Sequence, residues 1–133
     1  MDKDPIICKS SWETKFCEFC DHATNVIKWS SESLQIPYYD NIKKKNRRYF
    51  PDFIMTVKET DGKIQTYVIE IKPYKETIPP IIHGNKKGKT VMYEFLTWQT
   101  NLAKWKAAQI FCRKRGVIFR IITEKDLFKE QGK

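Results

Sequence analysis

Residues 49–73 read YFPDFIMTVKETDGKIQTYVIEIKP, and this stretch decides the fold. Residues 49–57 are rich in aromatic and β-branched side chains, which are typical of a β-strand. Asp61-Gly62 is a strong short-range hairpin signal, and residues 65–72 predict the returning strand, which Pro73 ends. The stretch therefore predicts an antiparallel hairpin that turns at residues 61–62.

Two carboxylates are predicted to meet at the open end of this hairpin. Asp52 lies nine residues before Asp61 and Glu70 lies eight residues after Gly62, so they face each other across the strands. Side chains two apart on a strand share a face, which places Lys72 beside Glu70. Paired carboxylates suit Mg²⁺ or Mn²⁺, and a fixed lysine can orient water or stabilise a phosphate. The alternative is an ordinary cross-strand salt bridge.

The rest of the chain predicts helices and strands around this hairpin. The predicted elements are a helix over residues 10–23, strands over 33–38, 49–57 and 65–72, a long helix through 98–112, a strand over 117–123 and a helix over 124–129. The three strands within residues 33–72 are predicted to form an antiparallel meander. The order α-β-β-β-α-β-(α) predicts a mixed α/β fold in which helices flank a mixed sheet.

Composition predicts one domain with a polyanionic partner. The 133 residues are 41% hydrophobic, enough for a core, and we predict a single domain over 1–133 with a short N-terminal arm over 1–9 and a mobile basic loop over 74–90. Lys and Arg number 25 against 16 Asp and Glu, and this net charge of +9 favours nucleic acid or an anionic membrane surface. We expect neither a membrane span nor a signal peptide, and therefore an intracellular setting in which the cysteines are thiols.

Clustered cations are the predicted DNA-binding residues. They occupy a predicted loop over residues 40–48, the loop over 74–90 and the long helix. They are Lys43, Lys44, Lys45, Arg47, Arg48, Lys75, Lys86, Lys87, Lys89 and Lys106. No recognition helix with base-reading side chains is evident, so we expect sequence-tolerant binding to the phosphates of double-stranded DNA. The alternative for these cations is an ordinary solvated surface.

Glu13 is a further candidate for the site. Ser10-Ser11-Trp12-Glu13 has the spacing of a capping box, so one interpretation is that Glu13 only caps the first helix. Glu13 also borders the Trp12 and Phe16 face, which must lie on the sheet. The second interpretation is that Glu13 reaches the carboxylates at the end of the hairpin.

These motifs together resemble the P-D…(D/E)-x-K nuclease superfamily. The resemblance is carried by Tyr49-Phe50-Pro51-Asp52-Phe53, by Glu70-Ile71-Lys72-Pro73, and by three further boxes at residues 10–13, 104–108 and 119–124. Within the superfamily the chain resembles TnsA-type transposon endonucleases and the head completion nucleases of tailed phages. The similarity extends from about residue 10 to residue 127.

The resemblance implies a restriction-endonuclease-like αβββαβ core and a Mg²⁺-dependent endodeoxyribonuclease. It implies that Glu13, Asp52 and Glu70 gather around Mg²⁺ or Mn²⁺ and that Lys72 assists the attacking water. The implied role is to act on packaged phage DNA ends before tail joining, in the host cell cytoplasm or the virion, with portal or neck proteins as further partners. Two alternatives remain: a non-catalytic DNA-end clamp or portal and neck structural protein with the same fold, and an endonuclease of transposon or restriction type with sequence preference.

Overall fold

The computed structural model describes residues 11–81 and 88–127. Its elements are helix α1 (Ser11–His22), strands β1 (Val26–Ser31), β2 (Ile36–Asp40), β3 (Lys45–Tyr49), β4 (Phe53–Lys58) and β5 (Ile64–Ile71), a 3-10 turn (Tyr74–Glu76), helix α2 (Gly88–Lys114), strand β6 (Ile118–Ile122) and helix α3 (Glu124–Leu127). The predicted N-terminal arm over 1–9, Ser10, Lys86 and Lys87 lie outside the described residues.

A four-stranded mixed sheet with helices on its two faces forms the centre of the molecule. Its strand order is β1-β4-β5-β6, with β1–β4 and β4–β5 antiparallel and β5–β6 parallel. Helix α1 packs Phe16 against Phe53 and Ile69 on one face. Helix α2 places Trp105 and Ala108 in a second core on the other face. The α1-β1-β4-β5-α2-β6 succession confirms the predicted αβββαβ core and the mixed α/β class.

The first strand of that core differs from the predicted one. It is β1, which was not predicted because its pairing with β4 is interrupted by a register shift between Val26 and Lys28, so regular alternation is lost. The stretch predicted as the first strand contributes β2 instead, which pairs with β3 in a separate two-stranded sheet. The predicted meander over residues 33–72 is therefore wrong, although its β4–β5 hairpin is confirmed.

Strand β3 occupies part of the segment that was predicted as a loop over residues 40–48. Its sequence, KNRRY, is charged and exposed except for its last residue, so it lacks the alternation that reveals a half-buried strand. The backbone of β3 is held in a strand by its pairing with β2, which its composition does not predict. Pro37 lies within β2, which a two-stranded sheet tolerates because each strand has an unpaired edge.

Helix α2 extends beyond the predicted stretch 98–112 at its two ends. The expected loop over residues 74–90 is too long at its second end, because residues 88–90 belong to α2. Its first residues, 74–76, form the 3-10 turn. Gly116 follows the helix with a φ of +71°, a left-handed conformation that glycine adopts readily. The Val117 N–H donates to the Cys112 carbonyl at 2.9 Å and closes the helix end.

The cysteines of the chain are not all thiols. Cys20 and Cys112 are free and buried, whereas Cys17 is disulfide-bonded, which corrects the expectation that all cysteines are thiols.

Within residues 11–81 and 88–127, no helix is long and apolar enough to cross a membrane.

Candidate active site

The register of the β4–β5 hairpin brings Asp52 and Glu70 together. Phe53 pairs with Ile69, so Asp52, one residue before β4, stands opposite Glu70. The Ile71 N–H donates to Asp52 Oδ2 at 2.8 Å. The Glu32 N–H donates to the Asp52 backbone carbonyl at 2.9 Å, which ties the end of β1 to the same point. Asp52 is therefore held by the backbone of two neighbouring strands.

Glu70 is buried, and each of its carboxylate oxygens has a neighbour. The Tyr49 hydroxyl donates to Glu70 Oε1 at 2.6 Å. Lys72 Nζ lies 3.8 Å from Glu70 Oε2, on the same face of the sheet as the alternation of β5 requires. Asp52, Glu70 and Lys72 thus lie together, as the spacing predicted.

Burial raises the pKa of the two carboxyl groups. The pKa of Asp52 rises to about 6, because the group is desolvated and because Glu13 and Glu32 add negative charge nearby, while the Ile71 N–H and Lys72 act in the opposite direction. The pKa of Glu70 rises to about 7 through desolvation and the charge of Asp52, which Tyr49, Lys72 and Lys104 only partly offset. The site therefore has an excess of negative charge that a cation would relieve.

The donor set fits a hard divalent cation held by two carboxylates. Mg²⁺ is usually bound through one or two carboxylates, with water and substrate phosphates completing its octahedron. Within the described part of the chain, no group of three or more His, Cys, Asp or Glu side chains is close enough to hold a metal ion. Direct ligation of the cation by Glu13 therefore stays a prediction.

Glu13 nevertheless belongs to the surroundings of the site. It lies in the first turn of α1, half-buried, and its charge acts on the pKa of Asp52. Helix α1 is held there by Phe16, whose ring centroid is 4.8 Å from that of Phe53, the residue after Asp52. The capping interpretation of Glu13 involves Ser10, which is outside the described residues.

The predicted DNA-binding residues divide into a cluster and scattered positions. The cluster is the β2–β3 hairpin, which exposes Lys43, Lys44, Lys45, Arg47 and Arg48. Arg47 lies 3.6 Å from Asp40 Oδ2 and Arg48 donates to Gln35 Oε1 at 3.2 Å, so two of these five cations are partly engaged within the protein. The scattered positions are exposed and separate in the chain: Lys75 in the 3-10 turn, and Lys89 and Lys106 on α2.

Tyr49 and Lys104 are site residues that the sequence analysis did not single out. Burial, followed by the charge and hydrogen bond of Glu70, raises the pKa of Tyr49 above its ordinary range, so its hydroxyl stays protonated and donates. Lys104 is half-buried with Nζ 5.9 Å from the Tyr49 ring centroid, and its pKa is lowered by burial and by Lys72. The sequence did hold one signal for Lys104: this cation directly precedes Trp105, one of the residues with which α2 packs into the core.

Comparisons with known proteins found matches over most of the chain. Residues 23–124 match the family model of the TnsA-like endonuclease N-terminal domain. The chain is also 44% identical over 129 residues to the head completion nuclease of enterobacteria phage T4, and this alignment covers 95% of the chain and 83% of the relative. No solved structure matches the chain at a significant level.

Proposed function

Because this chain belongs to the TnsA-like endonuclease family, we propose that it is a metal-dependent endonuclease that cleaves DNA during phage head completion. The observation that carries the proposal is the meeting of Asp52 and Glu70 beside Lys72 at the end of the β4–β5 hairpin. Both acids are desolvated, and the charge of Asp52 also disfavours the ionisation of Glu70. Such acids are costly to keep charged, and a divalent cation offsets that cost.

Asp52 and Glu70 would hold Mg²⁺ or Mn²⁺ through their carboxylate oxygens. When bound, the ion lowers the pKa of a coordinated water and neutralises charge on the scissile phosphate. Lys72 Nζ, 3.8 Å from Glu70 Oε2, would donate to the attacking water or to a phosphate oxygen and keep it in place. Glu13, from α1, would add negative charge on the Asp52 side of the ion.

The β2–β3 hairpin is the proposed DNA contact of this enzyme. Its exposed cations reach phosphates without base-reading geometry, so binding is expected to tolerate many sequences. The hairpin ends at Tyr49, which donates to Glu70, so the base of the hairpin lies next to the carboxylates.

The name of the T4 relative supports a role at the end of head assembly. We propose that the substrate is the packaged phage DNA end before tail joining, in the host cell cytoplasm or on the virion, with portal or neck proteins as neighbours. The non-catalytic DNA-end clamp remains the second candidate, and the exposed cations of β3 are the observation that favours it.

Cleavage assays separate the enzyme from the clamp. Purified protein is incubated with plasmid and linear DNA in Mg²⁺, in Mn²⁺ and in EDTA, beside the double variant D52N/E70Q. The matched control is Glu59→Gln, which alters a carboxylate that also accepts a tyrosine hydroxyl but lies beyond the far end of β4. We expect metal-dependent nicking or cutting by the wild type and the control only. DNA binding without cleavage in every metal would support the clamp.

A further inference from the structure

We propose that Tyr49 is a positioning residue that holds one oxygen of Glu70 and leaves the other free to face the divalent cation and Lys72. This inference rests on the proposed function, because it assigns a role within the same site. It depends on the contact between the Tyr49 hydroxyl and Glu70 Oε1 at 2.6 Å. The two side chains are buried, at 4% and 6% exposed, so water does not compete for this hydrogen bond.

The Tyr49 hydroxyl is fixed by the fold rather than by its own side-chain contacts alone. Tyr49 is the last residue of β3, where it pairs with the fully buried Ile36 of β2. Its ring packs in the core with Trp105 and Ala108 of α2. A ring with two torsion angles, held between a strand and a helix, places its hydroxyl with little freedom.

Glu70 needs such a constraint because a carboxylate rotates easily. Its terminal torsion is broad and two-fold, and Lys72 is near enough to draw the group into an ion pair. With Oε1 bound by Tyr49, only Oε2 faces Lys72 and the position of the cation. Removal of the hydroxyl frees both oxygens for Lys72, which then competes with the cation for Glu70.

Hydrogen-bond partners behind a metal ligand are commonly worth 10- to 100-fold in metal affinity or activity. Tyr49→Phe keeps the ring and removes only the hydroxyl, so we expect Mn²⁺ binding to weaken by about that factor. We also expect kcat on saturating DNA to fall, with KM for DNA unchanged, because the cations of the β2–β3 hairpin are untouched.

The structure supplies a matched control in Tyr67→Phe. The Tyr67 hydroxyl donates to Glu59 Oε2 at 2.7 Å, a contact of the same chemistry that does not involve Asp52 or Glu70. Tyr67 lies on β5, the strand that also carries Glu70. Mn²⁺ affinity is measured by calorimetry without DNA, cleavage is measured as a function of Mg²⁺, and thermal unfolding is measured in EDTA. Tyr67→Phe is expected to match the wild type in Mn²⁺ affinity and cleavage.

A double variant tests whether Tyr49 acts through Glu70. If it does, adding Tyr49→Phe to Glu70→Gln costs no further Mn²⁺ affinity. Wild-type Mn²⁺ affinity in Tyr49→Phe, or additive losses in the double variant, would overturn the inference and leave the nuclease intact. A wild-type protein that neither binds Mn²⁺ nor cleaves DNA would instead overturn the proposed function, and the inference with it.

Discussion

The β2–β3 and β4–β5 hairpins are both antiparallel, and they differ in charge and burial. Each has a residue in the left-handed region in its turn, Lys44 with a φ of +54° and Gly62 with a φ of +89°. The β4–β5 hairpin lies between other strands and has two acids at its open end. The β2–β3 hairpin stands apart from that sheet and exposes five cations.

Under the proposed function, this difference would separate catalysis from DNA binding. Buried carboxylates interact strongly with whatever reaches them, so few are needed and each has a large effect. Exposed cations are screened by water and salt, so each contributes little and several must act together. Substitutions in the β4–β5 hairpin should therefore remove a reaction, whereas substitutions in the β2–β3 hairpin should weaken an affinity.

The largest effect is expected for Asp52→Ala and Glu70→Ala. Each removes a proposed ligand of the cation, so cleavage should fall by about 10²–10³-fold or more, while DNA affinity in EDTA should stay within a factor of about two. Cleavage rates and electrophoretic mobility shifts measure the two quantities separately. Wild-type cleavage by the two variants would show that the site is elsewhere.

The next effect is expected for Glu13→Gln. If Glu13 orients water at the cation, cleavage should fall by about 10- to 100-fold. The free energy of unfolding should change by less than about 1 kcal/mol, because the amide can still cap the helix. Glu18→Gln, on an exposed part of the same helix, is the control. Full activity in Glu13→Gln would leave Glu13 a helix cap only.

A smaller effect is expected when three cations of the β2–β3 hairpin are replaced together, in K43S/K44S/K45S. DNA affinity should weaken, and the slope of log K against log salt should become shallower by up to about 0.9 for each lost phosphate contact. Cleavage at saturating DNA should change little. The control is K28S/K58S/K63S, three exposed cations outside the β2–β3 hairpin. Equal losses in the two triple variants would mean that net charge, not the hairpin, binds DNA.

The smallest effect concerns stability and its pH dependence. The folded state raises the pKa of Glu70 to about 7, so in EDTA its contribution to stability is present below about pH 4 and is lost as the pH rises towards 7. Glu70→Gln should therefore unfold a few degrees higher than the wild type at about pH 8 and at a similar temperature at about pH 4. Thermal scans at the two pH values measure this, and a lower unfolding temperature of the variant at pH 8 would contradict it.

The sequence predicted the β4–β5 hairpin well because its signals are local. Asp61-Gly62 sets the turn, and the register follows by counting, so Asp52 and Glu70 meet as expected. The sequence did not predict β3, because an exposed cationic strand is ordered by its partner and by the packing of Tyr49 rather than by its own pattern. The contact of Tyr49 with Glu70 depends on β3, so it could not be predicted without that strand.

The β2–β3 hairpin is an insertion between two paired strands of the central sheet, so the two ends of the insertion lie side by side. The chain leaves the central sheet at Ser31 and returns at Phe53, and these two residues are paired neighbours in β1 and β4. The turn of this hairpin can lengthen, shorten or change its sequence without disturbing the central sheet. We therefore expect related enzymes to differ here in how they would bind DNA. Its base is different: a one-residue slip there would turn Tyr49 to the opposite face and exchange it for a neighbour. We expect variation among relatives to concentrate at residues 41–44 and to spare the pairing of Ile36 with Tyr49.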